Sequence, residues 1–428
     1  MVTQTQPKWD QQAIHFPHSS FSFTHKSTAK IIAQTKMSVF DQLRPFVSFC
    51  QACGMIPFTI EQNQITNKFA KFTFSFRHLT TWWFFLVMFM ETVVMSVMGY
   101  VSFIQTFYIL NGQNLPITVI ILLFVIGMSY FAQLLLSRWI ILHYRQLRNA
   151  IETIQEVEKL FGEKFISQHK SSVTTRFIIG FVLVVISAIG TLTLSTPIHR
   201  QFSSLIYTNN VFASVATFST LAFIYLLFES TFFFFHMCYY IIAYYVQLLI
   251  IRSDAEDQTI SQKKKENMGV LKENTLILNY LCRASQELNR IFSFPVLILL
   301  TAKFISVVTT AFAYIYNCFI HSNVVLDSYS WLFLFTFFTD WIKMLILFNA
   351  ADMPVNQVIR LLRDKVTAIS SYGLSHSLAE KFAFMTSLVQ IDENRVRLSA
   401  AGLFKVGMHL VPALAGAVVT YMVILLQN

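Results

Sequence analysis

Six ionisable side chains stand inside long apolar runs of this chain: Glu91, Arg138, Glu229, His236, Asp340 and Lys343. Lys303 and Lys405 stand near the ends of two more. Charge in hydrocarbon is costly, so such groups pair, face a water-filled cavity, or serve function. Glu229, in LLFESTFFFFH, must face a cavity or a partner, and structural hydrogen bonding and ligand contact are equally good readings of it. Asp340 and Lys343 are three residues apart on one helix and can neutralise each other. Arg138 and Lys343 lie near enough to span ends to carry their charge to the interface.

A second group mixes aromatic, hydroxyl and amide side chains: Gln133, Thr191, Tyr225, Thr310, Tyr314, Asn317 and Trp331, with Glu229, Asp340 and Trp341 deeper. A small polar ligand wants this mixture of stacking surface and a few placed hydrogen-bonding groups. Tyr and Trp also form interfacial belts in any membrane protein, which is the plain reading of each taken singly. Enzyme chemistry has no such constellation. There is no Gly-rich phosphate loop, no H-E-x-x-H and no nucleophile elbow, and neither a cofactor nor a metal is expected. Cys50 and Cys53 make a lone C-x-x-C with no histidine at zinc spacing, so they read as small buried residues on a helix.

The last apolar run, LSAAGLFKVGMHLVPALAGAVVTYMVILLQN, is rich in small residues that let helices approach closely. Thr420, Ile424 and Gln427 or Asn428 fall on one face, beside Tyr421. Repeated around an axis, that face would stack an apolar ring at Ile424 on an amide ring at Gln427 and Asn428. Such rings gate by dewetting and coordinate a passing ion. An ordinary packed terminal helix is the alternative.

The elements that must hold these residues are membrane spans. The chain is 55% hydrophobic and 15% aromatic with 44 Phe, only 13% charged, and has a mean hydropathy of +0.54. Seven stretches suit a bilayer: about 79–109, 116–143, 172–195, 211–250, 292–320, 329–350 and 402–427. The segments between them alternate in charge. One side collects 26 Lys and Arg and the other collects 1. The rich side is cytoplasmic by the positive-inside rule. The expected fold is therefore an all-α membrane protein with seven transmembrane helices, the N-terminus cytoplasmic and the C-terminus extracellular. Span 4 is long enough to extend into a cytoplasmic helical anchor. The organisation expected is a disordered tail over 1–37, an amphipathic or re-entrant helix region over 38–78, a six-helix ligand-binding bundle over 79–350, a cytoplasmic helical anchor over 351–401, and a pore-lining span 7 over 402–428. Residues 1–40 lack an apolar leader, so the first span is expected to act as its own insertion signal. The outer loops are too short to form a domain, so an external ligand must bind within the helices.

The ending resembles the insect gustatory receptor family, whose C-terminal signature is Thr-Tyr, five variable residues, then Gln-Phe. Here it reads Thr420-Tyr421, five residues, Gln427-Asn428. SAAGLFKVG (399–407) looks like that family's run ahead of the last span, and LRPFVSFCQACGMIPF (43–58) like its opening segment. GAVVTY (416–421) is similar to the same region of odorant co-receptors. The resemblance implies a ligand-gated, non-selective cation channel built as a homotetramer, each subunit lending its last helix to a central pore. It also implies a tastant site in the outer half of the bundle and a plasma-membrane location in sensory-neuron dendrites. The family's constriction maps onto Ile424 and the residue after Gln427. Asn428 stands where the family has Phe, and a polar ring there would hold water more readily, leaving Ile424 as the chief gate. Met422 stands where sugar-receptor members carry Glu, which points away from the main sugar subfamily.

Two other classes compete. A G-protein-coupled receptor needs the opposite orientation and lacks here its D-R-Y-like and N-P-x-x-Y motifs. A transporter is disfavoured because no matching pair of spans is broken by Gly or Pro.

Overall fold

The computed structural model describes residues 44–62, 69–110, 131–132, 135–136, 138–139, 142–162, 165, 171–206, 211–259, 267–320, 328–371 and 393–427. Within them run α1 (Arg44–Ala52), β1 (Thr59–Gln62), β2 (Phe69–Thr73), α2 (Leu79–Leu110), α3 (Tyr144–Phe161), α4 (Ser171–Ile206), α5 (Val211–Thr259), α6 (Asn267–Ile320), α7 (Ser328–Ser371), β3 (Ser399–Ala400), β4 (Phe404–Lys405) and α8 (Leu410–Gln427). Three described stretches are long and apolar enough to cross a bilayer: Glu229–Asp254, Glu273–Tyr316 and Ser330–Asp364. The expected tail over 1–37 and most of span 2 lie outside the described residues.

The core is α5. At 49 residues it is about 74 Å long, more than twice the hydrocarbon thickness. A helix apolar on every face must be surrounded, and α5 is: Phe235, Met237, Tyr239, Ile242, Tyr245 and Val246 are all fully buried. Phe292 of α6 meets Phe235 edge-on at 4.6 Å and Phe234 at 5.8 Å. α6 and α7 also overshoot their expected spans. Span 5 is one part of the 54-residue α6, and the boundary expected at 350/351 falls inside the continuous α7.

Two short elements depart from expectation. The 38–78 region holds helix α1, but its second part is an antiparallel hairpin pairing Thr59 with Thr73 and Ile60 with Phe72. α1 packs into the bundle: Phe46 stands edge-on to Phe233 at 5.4 Å, and the Ser230 hydroxyl donates to Cys53 Sγ at 3.8 Å. Gly54 (φ +68°) makes the turn after α1, and a Cβ there would come 2.7 Å from the Val87 side chain. The basic segment between the second and third apolar runs contains α3. Its buried residues Leu147, Ala150, Ile154, Val157 and Phe161 repeat at three- and four-residue spacing, while Arg148–Glu152 and Lys159–Glu156 ion pairs decorate the other face. Arg252 of α5 ties this end together, bonding Glu273 of α6 at 2.9 Å and the Leu160 carbonyl of α3 at 3.3 Å.

Span 7 also begins later than expected. Residues 399–405 form a small hairpin turning through Ala401 (φ 50°) and Gly402 (φ 76°), and the helix starts at Leu410. The hairpin is anchored on α6. Asn289 Oδ1 accepts from the Ser399 N–H at 3.0 Å, Ser285 Oγ donates to the Val396 carbonyl at 3.1 Å, and the Ala401 N–H donates to the Ser293 carbonyl at 3.0 Å. Pro295 makes the neighbouring stretch of α6 receptive. It supplies no N–H to the Ile291 carbonyl, and the Trp139 indole N–H takes that carbonyl at 2.7 Å.

Candidate functional site

Four of the intramembrane charges meet. Lys303 of α6 donates to Asp340 Oδ1 at 2.6 Å, and Ser306 Oγ donates to Asp340 Oδ2 at 2.6 Å. Lys343, one turn along α7, donates to Glu229 Oε1 of α5 and lies 3.5 Å from Asp340 Oδ1. Lys303 also stands 5.6 Å from the Phe232 ring centroid. Two acids and two bases cancel in a site where Lys303 is 4% and Asp340 1% exposed. Pairing across three helices satisfies buried charge that a lone residue could not carry.

The principal partners therefore lie on other helices. Asp340 and Lys343 were expected to neutralise each other along α7; their mutual contact is the longest in the network. The interfacial reading of Lys343 is overturned, because its ammonium is held inside the bundle by Glu229. Arg138 donates to the Thr92 hydroxyl of α2 at 2.9 Å. Glu229 does face a partner.

Of the remaining expected ligand residues, Thr191, Thr310, Tyr314 and Trp331 lie toward the Ile206, Ile320 and Ser328 ends of their helices, and Trp341 lies between Asp340 and Lys343. Thr310 is buried, but its hydroxyl bonds back to the Ser306 carbonyl at 2.6 Å, and Thr191 bonds back to the Ser187 carbonyl at 2.9 Å. Tyr314 and Trp341 are half-buried and Trp331 is exposed. Gln133 lies outside the described residues, as do the side chains of Tyr225 in α5 and Asn317 in α6.

Beside the network a cavity of about 770 Å³ opens between α4, α5 and α7. A Cβ on Gly180 would come 1.9 Å from Phe233, and one on Gly190 would come 2.3 Å from Phe335, so α4 lies close against α5 and α7 at these points. The cavity is walled by aliphatic side chains, Phe232, Phe233 and Phe335, with Glu229 and Lys343 on one wall. Arg176 stands at the Ser171 end, its guanidinium 4.7 Å from the Tyr240 ring centroid. His236 Nδ1 and Ser187 Oγ are buried on the lining without a hydrogen-bond partner among the described residues. Arg176, inside the third apolar run, is the site residue that sequence reasoning missed. Its signal was present: a single cation five residues into a run that is otherwise uncharged to Thr196.

The last helix makes the third feature. Val411, Leu414, Val418 and Met422 form the stripe that packs against the bundle, and Phe304 of α6 meets Tyr421 edge-on at 6.2 Å. Ala413, Gly416, Thr420, Ile424 and Gln427 run along a different face, and all are exposed, Ile424 by 47%. A Cβ on Gly416 would meet nothing within 4 Å. Asn428 lies outside the described residues. At the start of the helix, Asp352 of α7 accepts from the Met408 N–H at 2.6 Å, and Gly407 leaves room for that carboxylate: a Cβ would come 2.3 Å from its Oδ1.

Comparisons with known proteins agree on one relationship. The fold is similar to that of the insect olfactory receptor OR5 from Machilis hrabei, with a TM-score of 0.67 at 14% identity over 91% of this chain and 100% of that one. The same receptor in complex with eugenol gives a TM-score of 0.68 at 13% identity, with the same coverage. No curated protein matches the sequence. A family model described as 7tm Chemosensory receptor matches residues 43–427. An apolar helical bundle with its charges paired inside it, a late start to the last helix and a match over nearly the whole length lead to one conclusion: the chain belongs to the 7tm chemosensory receptor family.

Proposed function

We propose that this chain is a gustatory receptor subunit: a ligand-gated, non-selective cation channel of the plasma membrane that opens on binding a small tastant. Four copies surround an axis, each contributing α8, with the N-terminus in the cytosol and the C-terminus outside. The observation that carries the reading is the uncovered face of α8. A helix packed on one stripe only, with a continuous line of small and polar residues ending in Ile424 and Gln427, suits a position where copies of itself complete its surroundings. The charge bias of the connecting segments supports the orientation, and the small-molecule complex of the Machilis receptor supports ligand binding within the helices. The tastant site is the outer half of the bundle, with Thr310, Tyr314, Asn317, Tyr225, Thr191 and Gln133 around it and the Glu229–Lys343–Asp340–Lys303 network as its floor.

Patch-clamp recording from cells expressing the full chain, with a panel of sugars, bitter compounds and eugenol, tests this directly. Ligand-evoked cation current is expected. Ile424→Ala should raise resting current by widening the apolar ring, and Gln427→Ala should change relative permeability among cations. Wild-type behaviour of both variants would remove α8 from the conduction path. A response that needs GTP and evokes no conductance would overturn the channel reading itself.

A further inference from the structure

We propose that the cavity between α4, α5 and α7 is a binding site for a single-chain amphiphile with an anionic head, which is held at the Arg176 end of α4, away from the tastant site. The site is elongated, from Arg176 to Ser187 along α4, about 16 Å. Its walls are chain-like in chemistry: Ile179, Leu183, Ile186 and Ile342 line it and are also exposed on the flank of the protein, so the gap opens sideways toward the bilayer. A ligand can enter it from the membrane without crossing water.

The head position is marked by charge and by unmet hydrogen bonding. Arg176 sits five residues into α4, close to the end where that helix leaves the apolar region. It stacks on Tyr240 and makes no ion pair among the described residues. His236 Nδ1, on the same part of the lining, is buried without a hydrogen-bond partner among the described residues. A carboxylate or phosphate would complete both, since guanidinium binds either as a bidentate fork. Glu229 and Lys343, the other charged groups on the wall, neutralise each other and leave the net attraction with Arg176. Ser187 Oγ lies at the far end, where an oxygen on the chain would complete its hydrogen bonding. A chain seated here touches α7 in the stretch that leads to Asp352, the residue bonded to the start of α8.

The test uses the purified full-length receptor in phosphatidylcholine nanodiscs and a diazirine-bearing palmitate as probe. Photolabelling is expected on peptides from α4 and α7. Unlabelled palmitate or lysophosphatidate should compete, and uncharged hexadecanol should not. Whichever anion competes better separates a free fatty acid from a membrane lipid as the source. Arg176→Gln should weaken labelling about tenfold or more, the loss of a charge-assisted contact, and Arg176→Lys should retain most of it. Leu183→Trp should block the site. Competition by hexadecanol equal to that by palmitate overturns the proposal on the wild-type protein alone, whatever the variants do. So does undiminished labelling of Arg176→Gln. The readout is binding, so it stands or falls independently of whether the receptor conducts.

Discussion

Lys303 and Asp340 show what a charge inside this bundle requires. Each has its partner on the neighbouring helix, and Ser306 fills the carboxylate oxygen that Lys303 leaves. Removing one member leaves the other buried and uncompensated, which costs about 3–5 kcal/mol. Lys303→Met should therefore lower the denaturation midpoint of the purified receptor strongly, and the double variant Lys303→Met/Asp340→Leu should recover much of the loss. A double-mutant cycle on thermal or chemical unfolding measures that coupling. Equal effects of the single and double variants would mean the pair is not an interacting unit. Lys343 and Glu229 extend the same logic to α5, so one polar layer joins three helices.

At the scale of elements, the join between α7 and α8 is the contact through which a rearrangement of the bundle would reach the last helix. Asp352 accepts the Met408 N–H in the turn that leads into α8, and its charge suits the positive end of the helix dipole. Gly407 is required because any side chain would displace that carboxylate. Asp352→Ala should destabilise the turn leading into α8 by about 1.5–3 kcal/mol, as loss of a hydrogen bond to a charged group does. Hydrogen exchange should speed up over residues 408–411, and the ligand concentration–response curve should shift. Asp352→Asn should give a smaller change, since Asn caps well without the charge. Exchange unchanged in Asp352→Ala would show that the cap is supplied elsewhere. Trp139 is a second such join: Trp139→Phe leaves the Ile291 carbonyl, already deprived of a helix bond by Pro295, without its indole donor. It should cost about 1–3 kcal/mol.

For the whole molecule, the central question is orientation. The charge bias predicts that an epitope tag at residue 1 stains only permeabilised cells, and that a tag after residue 428 stains intact ones. The reverse pattern would place the α8 face, and the pore with it, the wrong way round. Native mass spectrometry of the detergent-purified receptor should give a four-subunit mass. A monomer that still supports ligand-evoked current would exclude a pore made from shared α8 faces.

Some of this was legible in residue order because it depends on periodicity and composition, which are local. Apolar runs of bilayer length, their charge-biased connections and the helical stripe ending at Gln427 need no knowledge of neighbours. LILNYLCRASQELNRIFSF in α6 and VNQVIRLLRDKV in α7 likewise carry apolar residues at helical spacing. Partnership was not legible. That Lys343 pairs more closely with Glu229, 114 residues away, than with Asp340 beside it follows from how α5 and α7 cross, and no local pattern encodes a crossing. The hairpin at 59–73 escaped because its strands are short and its stability comes from contacts such as that between the Thr59 and Thr80 hydroxyls at 2.7 Å. The cavity escaped because its walls come from three helices far apart in the chain. Residue order by itself determined that this chain lives in a membrane and which face of its last helix is unusual. Only the tertiary structure decided which charges meet and where space is left between helices, because both depend on contacts between segments far apart in the chain.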